Sequence, residues 1–347
     1  MNVNELETPS ILIDLDIMSR NIAAMQERCD ALGLAFRPHI KTHKIPAIAR
    51  LQLAAGAAGI ACQKVSEAEI FAADGFDDIQ IPYNIIGEKK TARLMDLAIY
   101  NRISVSADSQ TTVDGLSAAA KKAGVPLRVL VELESDQHRA GAPVARAVAL
   151  AEAIAGDENL HFAGLLIYPS DASIRPTLLE AIALIDEKGI GIDVISGGGT
   201  GAALHAHEVP ELTELRVGTY VFNDWTTVKR GWNTLENCAM TVMTTVVSRP
   251  TEDRAILDSG SKTLSGDSYE GEYGYIIEYP DARIYRLNEE HGYVDLSACA
   301  NRPKVGEIVH VIPVHTCVVT NLHERLYGVR GGEIEVEWPV AARGKVW

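Results

Sequence analysis

The chain is short of positive charge: 32 Lys and Arg stand against 47 Asp and Glu, a formal net charge of −15. Phosphate backbones need a basic stripe and none is visible, so nucleic acid is excluded as a partner. Cysteine is scarce too. Cys29, Cys62, Cys238, Cys299 and Cys317 are odd in number and scattered, which excludes a disulfide framework. Each is a packing residue or a thiolate with a chemical role. No apolar run approaches roughly 18 residues, the length that spans a bilayer, so a membrane is excluded as a partner. The opening MNVNELETPS lacks the basic-then-apolar pattern of a leader, and the expected location is cytoplasmic. Internal repeats and low-complexity linkers are also missing.

What is present is an ordinary folded composition, 47% hydrophobic and 23% charged over 347 residues. That length suits two domains, or one large barrel with an extension. Short β-rich runs recur at 35–41, 59–63, 78–83, 103–108, 127–134, 162–168, 192–199 and 214–222. Helix-length segments lie between them, at 46–55, 66–73, 88–100, 111–122, 144–155 and 176–188. Such alternation predicts a parallel sheet with crossover helices. Eight units favour a (β/α)8 TIM barrel over an open doubly wound sheet. Past about residue 235 the helical pattern nearly vanishes, and runs such as MTVMTTVVSRP and EIVHVIPVHTCVV read as strands between turns. The expected division is a barrel over 12–234 and a C-terminal mostly-β domain over 235–347, joined by residues 1–11.

The first barrel run carries chemistry. In a strand, residues two apart share a face, so Arg37, His39 and Lys41 face together and Phe36, Pro38 and Ile40 face the helices. The basic face then points into the barrel, where unpaired cations are costly. Lys41 falls at the C-terminal end, where barrel active sites lie. A desolvated lysine near other cations loses basicity and becomes a nucleophile able to form a Schiff base. Lys44 and Lys262 are its rivals; Lys44 lies past the strand and is expected to be solvated, and Lys262 falls in a β-domain loop.

RPHIKTHK at 37–44 resembles the pyridoxal-phosphate segment of the D-threonine aldolase and D-serine dehydratase family, among the alanine racemase-like, fold-type III enzymes. Further segments resemble that family in order: ELESDQHRAG at 132–141, GLLIY at 164–168, SGGGT at 196–200, RVGTYVFND at 216–224, LDSGSKTLS at 257–265, NEEHG at 288–292 and PVHTCVVTN at 313–321. The resemblance covers nearly the whole chain. It implies a (β/α)8 barrel with a β domain, and pyridoxal 5′-phosphate carried on Lys41. It also implies Arg139 at the cofactor's phenolic oxygen and Tyr168 at its ring. Ser196, Gly198, Gly199 and Thr200 follow an apolar strand; glycines let amides approach a phosphate, and a helix start adds a favourable dipole. Gly218, Thr219 and Tyr220 end the eighth strand, beside the seventh, and are expected as the second phosphate contact.

His315 and Cys317 sit two apart in an expected strand, which puts imidazole and thiolate on one side. Both suit a divalent metal such as zinc, or manganese. His323, His291 and Asp267 are candidates to complete that site. The resemblance implies an aspartate two after the histidine in D-threonine aldolases, so the cysteine is closer to the dehydratase-like pattern. The expected function is a pyridoxal-phosphate- and metal-dependent lyase cleaving D-3-hydroxy amino acids to glycine and an aldehyde. Dehydration of D-serine or D-3-hydroxyaspartate to a 2-oxo acid and ammonia is the alternative. Racemisation and cofactor carriage without turnover are weaker readings. By the same resemblance the expected assembly is a homodimer.

Overall fold

The computed structural model describes residues 2–347. After an outlying strand β1 (Ser10–Asp14), all eight expected runs form strands. They are β2 (Ala35–Phe36), β3 (Ile60–Ala61), β4 (Asp78–Asn84), β5 (Arg102–Ala107), β6 (Leu127–Leu133), β7 (Leu160–Ile167), β8 (Val194–Gly198) and β9 (Glu214–Arg216). They lie parallel in the order β2-β9-β8-β7-β6-β5-β4-β3. The chain past β2 goes on bonding on both sides. Arg37 N and His39 N donate to Leu215 O and Val217 O, each at 2.9 Å, and His39 bridges Ala61 in parallel. The ring is thereby closed into a (β/α)8 barrel.

The crossover helices include Val65–Ala73, Glu88–Ala98, Gln110–Ala123, Val144–Ala155 and Arg175–Asp186. Gln110–Ala123 shows why the sequence folds so. Ser109 caps its start by accepting from Thr112 N, and Gly124 ends it in the left-handed region. Its buried residues, Thr112, Val113, Leu116 and Ala120, recur at three- and four-residue spacing and form one inward stripe. Strand residues such as Ile79, Ile81, Val105, Val129, Val131 and Leu165 are fully buried.

One stretch of the barrel interior is polar and internally neutralised. Arg37 Nε donates to Glu214 Oε2 and its Nη1 to Asp78 Oδ1, both at 2.7 Å. Glu214 Oε1 accepts from Ser196 Oγ at 2.6 Å and from Gln80 Nε2 at 3.2 Å. Arg216 Nε completes the chain on Ser196 Oγ at 2.8 Å. The expected inward-facing Arg37 is thus paired, as the cost of burying an unpaired cation requires. Arg37 sits near the start of its run, beside two carboxylates, and the cost of burying its charge is offset there.

The rest of the chain forms a nine-stranded sheet with β1. Its strands are β10 (Met240–Thr251), β11 (Arg254–Leu257), β12 (Gly274–Ile276), β13 (Arg283–Leu287), β14 (Gly292–Asp295), β15 (Ile308–Pro313), β16 (Arg325–Arg330) and β17 (Glu333–Pro339). The order is β13-β14-β11-β10-β1-β16-β17, with β15 pairing both β10 and β12. By contacts the chain divides into two units. One holds the chain up to Ala24, Thr42–Ala47 and Thr219–Gly344; the other holds Met25–Lys41, Ile48–Gly218 and Lys345–Trp347. The β unit takes more of the early chain than residues 1–11, because β1 is sandwiched between β10 and β16. It also takes 219–234, because Trp225 stacks on Tyr275 at 4.6 Å and donates to Glu272 at 2.9 Å. Among the described residues, no helix is long and apolar enough to cross a membrane.

Candidate functional site

In the barrel unit, Lys41 lies past the C-terminal end of β2. It is not in a strand, as its spacing predicts, but in a single 3-10 turn, Ile40–Thr42. The regular ladder stops at Phe36, and Pro38 has no amide to continue it. Lys41 is half-buried, and its Nζ lies 3.5 Å from Gln63 Oε1. His39 Nε2 lies 3.0 Å from the same oxygen.

Both rivals are accounted for. Lys44 is buried, not solvated, and donates to Ala342 O at 3.3 Å. The chain turns there at φ 55°, which carries the lysine into the packing of the β unit. Lys262 is bonded to Glu290 and Glu289, and those carboxylates hold its ammonium well above the usual lysine range.

Arg139 and Tyr168 come together, the guanidinium 4.3 Å from the ring centroid. Ser135 Oγ donates to Tyr168 O at 2.7 Å and fixes the chain where β7 ends. Buried Glu132 lies among these groups. Burial pushes its carboxyl up, while Arg216 and Arg139 pull it down. Arg216 is enclosed, and desolvation brings it down to about 10. Glu132 and Arg216 open the segments at 132–141 and 216–224, yet those segments point to Arg139 and to the chain past the eighth strand; a buried charge of each sign at inward strand positions is the signal for them.

In the glycine loop, two of the expected cofactor contacts are spent inside the barrel. Ser196 Oγ is bonded to Glu214 and Arg216, and Gly198 N donates to Ser170 Oγ at 3.0 Å. Gly199, at φ 114°, precedes the short helix Thr200–Leu204. The amides of Gly199, Thr200 and Gly201 open that helix ahead of any intrahelical acceptor, as helix starts require. These are the donors left for an anionic group. Gly218 ends the barrel unit, whereas Thr219 and Tyr220 open a 3-10 turn grouped with the β unit. There Thr219 O accepts from the amides of Phe222 and Asn223.

In the β unit, His315 and Cys317 meet by a different geometry from the one expected. β15 stops at Pro313, His315 is the extended N-cap residue, and Cys317 lies in the first turn of the helix Thr316–Leu322. His315 Nδ1 lies 2.6 Å from Asp267 Oδ2. Burial opposes charge on the imidazole, but hydrogen bonds to Cys317 and Asp267, with Asp224 nearby, raise it to about 10. Asp224 itself is pushed up to about 6 by burial, against the amide bonds of Thr227 and Thr316. Thr42 Oγ1 shares a hydrogen bond with Cys317 Sγ at 3.2 Å.

Among the described residues no three His, Cys, Asp or Glu side chains form a ready metal cage. Of the three candidate completing residues, only Asp267 reaches His315. His323 Nε2 is bound to Thr263 O at 3.1 Å, and His291 is exposed. The donor chemistry nevertheless fits a divalent ion. Asp267 occupies Nδ1, which leaves His315 Nε2 and the Cys317 sulfur as the ligating pair. Two protein ligands leave positions open, as a catalytic metal needs.

The barrel and its site residues define a class that comparison makes specific. The family described as "Alanine racemase, N-terminal domain" matches residues 13–224, and "Putative serine dehydratase domain" matches 239–329. The chain is 36% identical to a D-threonine aldolase of Arthrobacter sp, over 98% of this chain and 93% of that one. It is 30% identical to a D-threo-3-hydroxyaspartate dehydratase of Delftia sp., over 90% and 91%. A solved structure of D-threonine aldolase from Filomicrobium marinum superposes with a TM-score of 0.92 at 31% identity, covering 100% of this chain and 98% of the other. The chain belongs to the family of alanine racemase-type barrel enzymes that includes D-threonine aldolase.

Proposed function

We propose that the chain is a pyridoxal-phosphate- and divalent-metal-dependent lyase that splits D-3-hydroxy amino acids into glycine and an aldehyde. The observation that carries this reading is Lys41 at the C-terminal rim of the barrel, in a chain similar end to end to a D-threonine aldolase. When bound, pyridoxal phosphate supplies an electron sink for charge developing at the substrate's Cα.

The chain's own residues do the rest. Lys41 Nζ is the amine that would hold the cofactor. The amides of Gly199, Thr200 and Gly201 would donate to its phosphate. Arg139, lying over Tyr168, would present a fork of donors beside the cofactor ring. His315 Nε2 and Cys317 Sγ would hold zinc or manganese, which supplies Lewis acidity at a substrate hydroxyl. Asp267, bonded to Nδ1, would keep Nε2 of that imidazole available to the ion.

Dehydration to a 2-oxo acid and ammonia is a second reading. It is favoured by Cys317, where the resemblance implies aspartate for aldolases, and by the Delftia relative. Incubation with D-threonine decides between the two. Glycine plus acetaldehyde supports cleavage, and 2-oxobutyrate plus ammonia replaces it with dehydration. Lys41→Ala should lose both turnover and the yellow absorbance of lysine-bound cofactor, and a variant that keeps that colour overturns the assignment. We also propose a homodimer as the working form. Sedimentation that finds a fully active monomer excludes it.

A further inference from the structure

The strand register places one unassigned side chain against Lys41. His39 bridges Ala61 in parallel. Two residues further along each chain stand Lys41 and Gln63, side by side at the C-terminal rim. Gln63 Oε1 lies 3.0 Å from His39 Nε2 and 3.5 Å from Lys41 Nζ. An amide oxygen has two lone pairs and meets two donors here. If His39 donates through Nε2, its Nδ1 becomes an acceptor, and Lys41 N lies 3.5 Å from that nitrogen. The three residues therefore close a loop with one consistent tautomer. Gln63 is itself anchored, because its backbone N donates to the buried carboxylate of Glu67 at 2.6 Å. That bond sits at the start of the helix Val65–Ala73, so a rigid element holds the amide.

We propose that Gln63 is a positioning residue that holds the Lys41 amine at the rim and sets the His39 tautomer. This rests on Lys41 as the cofactor-bearing lysine. A neutral acceptor suits that role. It binds the amine whenever the nitrogen is not bonded to cofactor, without the strong pull of a carboxylate that would keep it protonated. A glutamate would hold the same place at the same length but pin the proton. A leucine would offer nothing to the amine.

The test measures how the rate of Lys41 bonding to free pyridoxal phosphate depends on pH, in cofactor-stripped protein. Wild type, Gln63→Glu and Gln63→Leu are compared. Gln63→Glu should move the midpoint of that profile up by about one pH unit, because a new anion favours the protonated amine. Gln63→Leu should move it down, and should cut kcat about tenfold with KM changed less than about twofold, as expected for one lost bond to a charged donor. Midpoints within about 0.3 unit of wild type in both variants, or shifts of the same sign, overturn the inference. A merely structural role for Gln63 would not give opposite signs. If Gln63→Leu fails to fold, the near-isosteric Gln63→Glu carries the test alone, and an unshifted midpoint overturns the inference. Wild type that forms no lysine-bound colour, or Lys41→Ala that retains it, defeats the function proposed above. A normal wild type with flat Gln63 variants defeats only this inference.

Discussion

Arg37, Lys41 and Lys44 lie within eight residues and have three different fates. Arg37 is spent on Glu214 and Asp78, Lys41 is left half-buried at the rim beside Gln63, and Lys44 is drawn into the β unit. Spacing and the family resemblance pointed to Lys41, but neither could say that Arg37 would find two carboxylates contributed by strands far along the chain. Lys44→Ala should therefore keep the colour of lysine-bound cofactor, yet lower the stability read from urea unfolding by roughly 1–3 kcal/mol, the cost of an unfilled buried place. If the colour vanishes with Lys44 and survives without Lys41, the two lysines exchange roles. Asp267 is the residue whose part changes most. Its bond to His315 Nδ1 suits an orienting carboxylate in the proposed metal site better than a third ligand. Asp267→Asn should weaken zinc or manganese binding about 10–100-fold by titration calorimetry, with folding unchanged. An unaltered affinity would show that the imidazole needs no such partner.

At the scale of the element, the eight runs were legible because alternation of strand and helix is a strong pattern. Their ends were not. The first run becomes a two-residue strand and a 3-10 turn, and the His315–Cys317 strand becomes an N-cap and a helix start. Propensity does not decide such ends; backbone hydrogen-bond partners do, and these lie on other strands. The glycine loop shows the same limit. SGGGT pointed to an anion site, but the bonds of Ser196 and Gly198 to distant residues turn its first half inward. Gly164 gives an element-scale prediction. It holds φ 136° in β7, and an added Cβ would run into Val194 O. Gly164→Ala should cost roughly 2–4 kcal/mol through strain and crowding combined. Urea unfolding checks it, and a loss below about 1 kcal/mol would mean that β7 and β8 can move apart.

At the scale of the molecule, the acid limb of stability is set by scattered carboxylates. Asp157 is held below its ordinary value by the Ser117 hydroxyl, Asp193 by His161, and Glu211 by Arg175. Their folded values lie under the ordinary 3.8 and 4.5, so their contribution is full above those values. It is lost as pH falls through the folded values. Urea midpoints should therefore drop below about pH 4.5, and less steeply in Asp193→Asn and Glu211→Gln. Variants whose midpoints fall as steeply as that of wild type would contradict this sign.

The sequence by itself determined the barrel, the mostly-β partner and the family, and it singled out Lys41, His315 and Cys317. Periodicity and short motifs are properties of neighbouring residues, and a linear reading contains them. The tertiary structure alone decided that Gln63 stands beside Lys41, that Asp267 faces His315, and that Arg37 and Ser196 belong to the barrel interior. Those contacts join residues from about 20 to nearly 180 positions apart. They exist only once strand register and loop packing have set which side chains meet.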